Sequence, residues 1–195
     1  MDDHYFACLD LNGRDCLVVG GGTVGHEKAS GLLASGARVT VVAPEISDEV
    51  AALPVELLRR AYQASDLDGR RLVIAATSVE EVNRRVFADA EERNLFCNVA
   101  DVPELCSFIL PAVHRQGPVV VAISTGGASP ALAQWLRDRF ASQIGAEHES
   151  LARELRRLRP WAKKNLATYE ERRDYFRNLV TQALSDVGST ESGIR

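Results

Sequence analysis

Six residues near the start of the chain, Gly20-Gly21-Gly22-Thr23-Val24-Gly25, constrain it more than any other stretch. They follow the apolar run Cys16-Leu17-Val18-Val19 and open a helical pattern, so a strand stops on glycines and turns directly into a helix. A dinucleotide pyrophosphate needs close backbone approach and unpaired N–H donors at a helix N-terminus, and side chains on the loop would obstruct both. Gly20, Gly22 and Gly25 meet that demand, with Gly21 between them. The plain alternative is a tight strand-to-helix turn with no ligand. The surrounding βαβ pattern favours a nucleotide site.

That pattern runs through the first hundred residues. Strands are expected at Asp15–Gly20, Arg38–Ala43, Val55–Ala61, Leu72–Thr77 and Phe96–Ala100, with helices at Val24–Ala34 and Val79–Arg93. Alternating strands and helices specify an α/β fold with a Rossmann-like parallel sheet. Gly36 is placed to stop the first helix, and Ser78 with Glu81 reads as a capping box for the second. Beyond Asp101 the rhythm ends. Ser107–Val113 and Pro118–Ser124 read as two strands joined by His114-Arg115-Gln116-Gly117. Ser129-Pro130 then reads as an N-cap and first-turn proline opening a helix to about Phe140. From Glu147 the chain is polar and helical, with an expected break near Arg159-Pro160 and a second capping box at Thr168 and Glu171. No internal repeat is present.

Composition excludes several classes. With 195 residues, 46% of them hydrophobic, the chain can bury a full core. No apolar run approaches the roughly 20 residues that span a bilayer, and the start Met1-Asp2-Asp3-His4 lacks the basic flank of a secretory signal, so a cytoplasmic protein without a membrane partner is expected. The net charge of -4 argues against a nucleic-acid partner. Cys8, Cys16, Cys97 and Cys106 form no C-x-x-C pair, and with His4, His26, His114 and His148 they show no ligand spacing, so reduced structural thiols and no fixed metal site are expected. From Arg153 to Arg177 there are nine basic residues against four acids, a local excess of +5. This is either a solvated helical face or an attractor for a polyanion.

Particular residues carry candidate chemistry. Asp101 lies just beyond the strand Phe96–Ala100, where a carboxylate could accept a proton beside a bound nicotinamide. Its plainer use is as an Asx-type cap before Pro103. Ala43 ends the second strand with Pro44-Glu45 after it, so Glu45 either reaches the adenosine ribose or is a solvated loop acid. No arginine lies between Val41 and Val50 to receive a 2′-phosphate, which favours NAD over NADP. The run Ser124-Thr125-Gly126-Gly127-Ala128-Ser129-Pro130 joins hydroxyls, glycines and a helix N-terminus, so it is either a carboxylate-binding loop or an ordinary capped one. His114 reads as an exposed turn residue.

Taken together, Leu17–Gly22 with Lys28, Ala75-Ala76-Thr77 with Val82-Asn83, Phe96–Val99 through Pro111, and Ser124–Pro130 resemble the precorrin-2 dehydrogenase / sirohydrochlorin ferrochelatase family, the N-terminal module of siroheme synthases. The resemblance spans nearly the whole chain. It implies NAD-dependent oxidation of precorrin-2 to sirohydrochlorin, with ferrous iron as a further substrate in some members. It puts the catalytic aspartate on Asp101 and cofactor contacts on Thr23, Val24, Pro44 and Glu45. The expected cofactor set is completed by Gly20, Gly21, Gly22, Thr77 and Asn98, and the expected substrate set is Ser124, Thr125, Gly126, Gly127 and Ser129. It further implies a homodimer formed through the central region. The apolar stripe of Leu132, Trp135, Leu136 and Phe140 independently suggests an interface, its alternative being packing within the chain.

The expected division is a NAD-binding domain over 1–112, a dimerisation region over 113–145, a helical substrate-associated domain over 146–187 and a disordered tail over 188–195. Departures exist: Gly25 and Glu27 stand where the family commonly has alanine and arginine, and Thr125 where some members carry a phosphorylated serine. No fused methyltransferase domain such as some relatives carry is expected, so methylation is expected to come from another protein. Two other classes stay open. An NAD-sensing regulatory module would share the loop without needing Asp101, and a free-standing tetrapyrrole chelatase would need no intact glycine loop.

Overall fold

A computed structural model describes residues 4–188; the expected tail over 188–195 lies outside them except for Gly188. The chain divides between Leu110 and Pro111 into two compact units. Among the described residues no helix is long and apolar enough to cross a membrane.

The first unit runs β1 (Asp15–Val19), α1 (Thr23–Ala34), β2 (Arg38–Val42), a short α2 (Asp48–Ala51), β3 (Glu56–Leu58), β4 (Leu72–Ala75), α3 (Glu80–Glu91) and β5 (Phe96–Val99). All five strands are parallel in the order β3-β2-β1-β4-β5. Strands buried on both faces must be apolar at odd and even positions alike. Accordingly Cys16 and Val18 join Val39, Val41, Leu72 and Ile74 under Ala29 and Leu32, while Leu17 and Val19 join Val42, Val73, Cys97 and Val99 against Leu67, Val86 and Ala90. Each Val, Leu or Ile among them stabilises the fold by roughly 1.5–3 kcal/mol when fully buried. Gly36 stops α1 as expected: its N–H reaches Leu33 O at 2.9 Å and the Ala37 N–H reaches Leu32 O at 3.2 Å.

Two expectations in this unit need correcting. β3 ends at Leu58 rather than Ala61, because Arg60 turns to grip Asp66 with Nη1–Oδ2 at 2.9 Å and Nη2–Oδ1 at 2.5 Å, and Tyr62 is buried with its hydroxyl 2.9 Å from Asp89 Oδ2. The capping box at Ser78 and Glu81 does not form. Val79 is the N-cap of α3, and the turn is held by the Thr77 hydroxyl and the Asn83 amide. Beyond β5 the chain turns back along that strand's free side. Asn98 bridges Cys106 in antiparallel sense, the Ser107 N–H reaches Cys97 O at 2.8 Å, and the Cys97 N–H reaches Ser107 Oγ at 2.8 Å. The edge of the sheet is thereby covered by residues expected to begin a separate strand.

The second unit contains a hairpin of β6 (Ala112–Gln116) and β7 (Val119–Ile123), then α4 (Pro130–Ala141), α5 (Ala146–Asn165) and α6 (Tyr169–Gly188). The hairpin lies further along than expected. Its two-residue turn is Gly117-Pro118, with Gly117 at φ +55 as the first turn position of a type II′ connection requires, so His114 belongs to β6 and not to the turn. The Ser129 hydroxyl caps α4 by accepting from the Leu132 N–H at 3.1 Å. α5 does not break at Arg159-Pro160. It continues to Asn165, with Ala162 buried and Trp161 stacked 5.4 Å from Tyr175 of α6, and the chain turns only at Leu166. The Thr168–Glu171 capping box forms, with both bonds at 3.1 Å.

The Arg60 guanidinium holds the buried Asp66 carboxyl below the usual carboxylate range, assisted by the Gln63 N–H against the opposing effect of burial. A carboxyl depressed in the folded state stabilises it above the unfolded pKa of about 3.9 and loses that contribution as pH falls through the lower folded value. Asp66→Asn should therefore cost about 1–2 kcal/mol at pH 7, Arg60 being partly solvated. Urea unfolding at pH 7 and pH 3 checks this: the gap between variant and parent should narrow at pH 3, and a constant gap would rule out the ion pair as its source.

Candidate active site

In an open parallel sheet the chain leaves β1 toward β2 and later crosses to β4, so a crevice opens at the carboxyl ends of β1 and β4. Register brings Val19, Val42, Ala75 and Val99 to one edge. Gly20, Ala43, Ala76 and Ala100 therefore follow side by side, and the sequence-expected cofactor residues of the first unit gather there.

The glycine loop is built by exclusion. Gly20 sits at φ +130, and a Cβ on it would collide with the carbonyl of Ala76 at the mouth of β4. A Cβ on Gly25 would strike the carbonyl of Gly20, and one on Gly21 the carbonyl of Glu45. The loop is also tied down by Gly20 N–H to Val42 O at 3.0 Å and Ser47 N–H to Gly21 O at 2.9 Å. Gly22 differs: it is exposed, caps α1 with its backbone alone, and an added Cβ would meet no atom within 4 Å. Three glycines thus serve packing and the fourth faces open space at a helix N-terminus, where a phosphate could approach N–H groups. Thr23 and Val24 are exposed on the first turn of that helix.

Pro44 and Glu45 are exposed after β2. No arginine lies between Val41 and Val50, yet Arg59, just past the neighbouring strand β3, lies with Nη1 3.4 Å from Ile46 O. Only the sheet order reveals that basic neighbour. Thr77 is occupied: its hydroxyl bonds Val79 O at 3.0 Å and Asn83 Oδ1 at 2.9 Å. Asn83 has no role evident from sequence beyond being a polar residue on the apolar face of α3, and the structure buries it there. Asn98 is buried and donates to Phe108 O at 2.9 Å, so its amide fixes the exit of β5.

That exit carries Asp101, exposed and at φ +62, a backbone region that non-glycine residues seldom adopt and Asp and Asn tolerate best. Its carboxylate makes no hydrogen bond or ion pair among the described residues, so it does not act as an Asx cap. The turn beneath it is held instead by Cys106, whose Sγ lies 3.3 Å from Val99 N, Val99 O and Val102 O. Burial pushes the Cys97 thiol up to about 12 and the Cys16 thiol up to about 11, and raises that of Cys106, so all three stay protonated at neutral pH.

The remaining candidates lie in the second unit. Thr125 Oγ1 accepts from the Ser129 N–H at 3.0 Å and donates to Ser129 O at 3.1 Å, and Ser124 Oγ accepts from the Gly126 N–H at 3.2 Å. The hydroxyl oxygens of Ser124, Thr125 and Ser129 thus each accept a local backbone N–H, and that of Thr125 also donates, in a loop whose turns are made by Gly126 and Gly127 at φ +60 and +83. An anion there would meet backbone N–H groups and the positive end of α4. His114 faces inward with its buried Nε2 lacking a partner among the described residues. Among those residues no group of three or more His, Cys, Asp or Glu side chains could hold a metal ion.

Comparisons with known proteins agree with this architecture. Residues 7–112 match the family described as "Putative NAD(P)-binding", and residues 116–143 the one described as "Sirohaem biosynthesis protein central". The chain is 41% identical over 189 residues to the siroheme synthase of Thioalkalivibrio sulfidiphilus and 41% identical over 181 residues to that of Citrobacter koseri, covering 95% and 91% of this chain. It spans only 39% and 40% of those relatives' length. The solved structure of SirC, a precorrin-2 dehydrogenase, superposes with a TM-score of 0.78 at 28% identity, covering 96% of both chains.

The glycine loop makes a differential prediction. Gly22→Asp has room in the fold but puts a negative charge where a pyrophosphate would lie; a unit charge at 4 Å costs about 1 kcal/mol in water and about 4 kcal/mol near a protein surface. Calorimetry should show NAD affinity falling at least about tenfold with the melting temperature nearly unchanged, whereas Gly25→Val should lower the melting temperature itself. Equal NAD affinity in Gly22→Asp and the parent would take the loop out of the site.

Proposed function

Because the chain belongs to the family of siroheme synthase N-terminal modules and precorrin-2 dehydrogenases, we propose that it oxidises precorrin-2 to sirohydrochlorin with NAD as hydride acceptor, in the cytoplasm. The observation that carries this reading is the presence, on one edge of one sheet, of a glycine loop with open space over Gly22 and an uncapped carboxylate at Asp101. The four unpaired cysteines fit a reducing compartment.

Bound NAD supplies the two-electron sink, taking a hydride from the reduced tetrapyrrole. Gly20, Gly21 and Gly22, with Thr23 and Val24, present the first turn of α1 to the pyrophosphate, and Pro44 with Glu45 borders the adenosine ribose. Thr77 and Asn98 shape the cleft from behind, since their side chains are committed to Asn83 and Phe108. Loss of hydride leaves a cation that must shed a proton, and the Asp101 carboxylate accepts it. The Ser124–Ser129 loop, through Thr125, Gly126 and Gly127, receives a substrate carboxylate at its backbone N–H groups. The basic excess on α5 and α6 draws in a substrate bearing many carboxylates. In this reading 1–112 holds the cofactor, 113–145 forms a homodimer and 146–187 attends the substrate. The dimer is supported by Leu132, Trp135 and Phe140 on α4, which are 48%, 57% and 43% exposed, and by the outward Val113 and Val120 of the hairpin.

Anaerobic precorrin-2 with NAD and purified protein should yield sirohydrochlorin and NADH in equal amounts, followed by absorbance. Absence of both products rejects the proposal, and ferrous iron added afterwards tests for insertion. Asp101→Asn keeps the left-handed backbone and removes only the charge, so turnover should fall about 10²–10⁴-fold while NAD affinity holds. Near-normal turnover in that variant would leave Asp101 a purely conformational role.

Light scattering at micromolar concentration should give twice the chain mass, and Trp135→Glu should return the single-chain mass along with weaker catalysis. A monomeric parent protein would reject the dimer.

A further inference from the structure

The opposite edge of the same sheet holds a second concentration of charge. Register places the first residue of β1, Asp15, beside Arg38 at the start of β2 and Arg71 just before β4. Arg14 and Arg70 flank them, and the five side chains line an open surface cavity of about 280 Å³ in which Arg14, Arg38 and Arg71 are exposed. Four guanidiniums and one carboxylate converge in a chain whose net charge is -4.

The local acids neutralise only Arg38 of this cluster. Asp15 is engaged in a two-point bond with Arg38, at 2.8 Å from Nε and 2.6 Å from Nη2. Asp66 is held by Arg60, and Asp68 lies 3.7 Å from Arg93. Glu56 accepts from the Thr40 hydroxyl at 2.8 Å, and that hydroxyl in turn accepts from Arg70 Nη1 at 2.7 Å. Arg70 is fixed a second time by its Nε bond to Asp66 O at 3.0 Å. Two guanidiniums are therefore oriented in advance, while the side chains of Arg14 and Arg71 have no partner among the described residues. Gly13 and Gly69 contribute no side chain to fill the mouth.

We propose that this cavity binds a small multivalent anion bearing phosphate or several carboxylates, gripped by Arg14 and Arg71 against the fixed Arg38 and Arg70. Planar guanidinium forks match such oxygens two at a time. The volume lies just below the roughly 300–1,000 Å³ of pockets for drug-sized ligands, which limits the occupant to a compact one. β1 is five residues long, so at ~3.3 Å per residue about 16 Å separates this edge from the glycine loop. A ligand here is distinct from a dinucleotide at Gly20–Gly25, and the proposal stands whether or not the chain oxidises a tetrapyrrole.

Pyrophosphate and citrate, titrated separately into the full chain by calorimetry at low ionic strength, distinguish the phosphate and carboxylate sources. At least one should bind saturably at one site and raise the melting temperature. Arg14→Gln/Arg71→Gln, which removes no bond of the fold, should weaken that binding at least about tenfold. Gly22→Asp, at the other edge, should leave it intact. No saturable binding of either anion overturns the proposal, as does equal binding by the double variant. Loss of binding in Gly22→Asp alone would place the anion in the glycine loop and overturn it too.

Discussion

The contact on which the rest of the first unit depends is the approach of Gly20 to the carbonyl of Ala76, where β1 and β4 end together. No side chain fits between them, so the two strands can close only over glycine. That closure fixes where α1 begins and where α3's connection starts, and it sets the crevice between them. The double-sided core of Leu17, Val18, Val41, Val73 and Ile74 keeps the strands from shifting, since a slip of one residue would exchange one buried face for the other. A tight turn and a packed sheet are therefore one constraint viewed at two scales.

How far the sequence discloses this differs between the halves. The strand and helix order of residues 15–100 is legible because continuous apolar runs and glycine stops are local signals, and each helix lies between two strands it must cover. Cofactor candidates follow from the same signals. Arg59 and Asn83 were not legible, since their relevance depends on which strand neighbours which and on which face of α3 is buried. The left-handed backbone of Asp101 was equally hidden, because nothing local distinguishes a strained aspartate from a capping one.

The second unit is less legible in the sequence for a physical reason. Its hairpin register is set by the Gly117-Pro118 turn, which the polar run from His114 to Gly117 masks, so that His114 reads as a loop residue although it lies in β6. Pro160 shows the converse case. A proline normally interrupts a helix, at about 3 kcal/mol, but the packing of Trp161 and Ala162 carries α5 across it. Local propensity yielded to tertiary contact there, whereas the Ser129 N-cap and the Thr168–Glu171 capping box form as their local sequence dictates.

The folding back of residues 106–108 along β5 also determines how the sheet meets other chains. A parallel sheet exposes unpaired N–H and carbonyl groups at both flanks, and each flank can template a foreign strand. On the β5 side those groups are occupied by Cys106 and Ser107. On the other, β3 is only three residues long, begins with Glu56 and is followed by Arg59. Growth by strand addition is thus blocked at one flank by the chain itself and discouraged at the other by brevity and charge. The first unit carries its own defence against the fibrillar association to which an open, valine-rich sheet is prone.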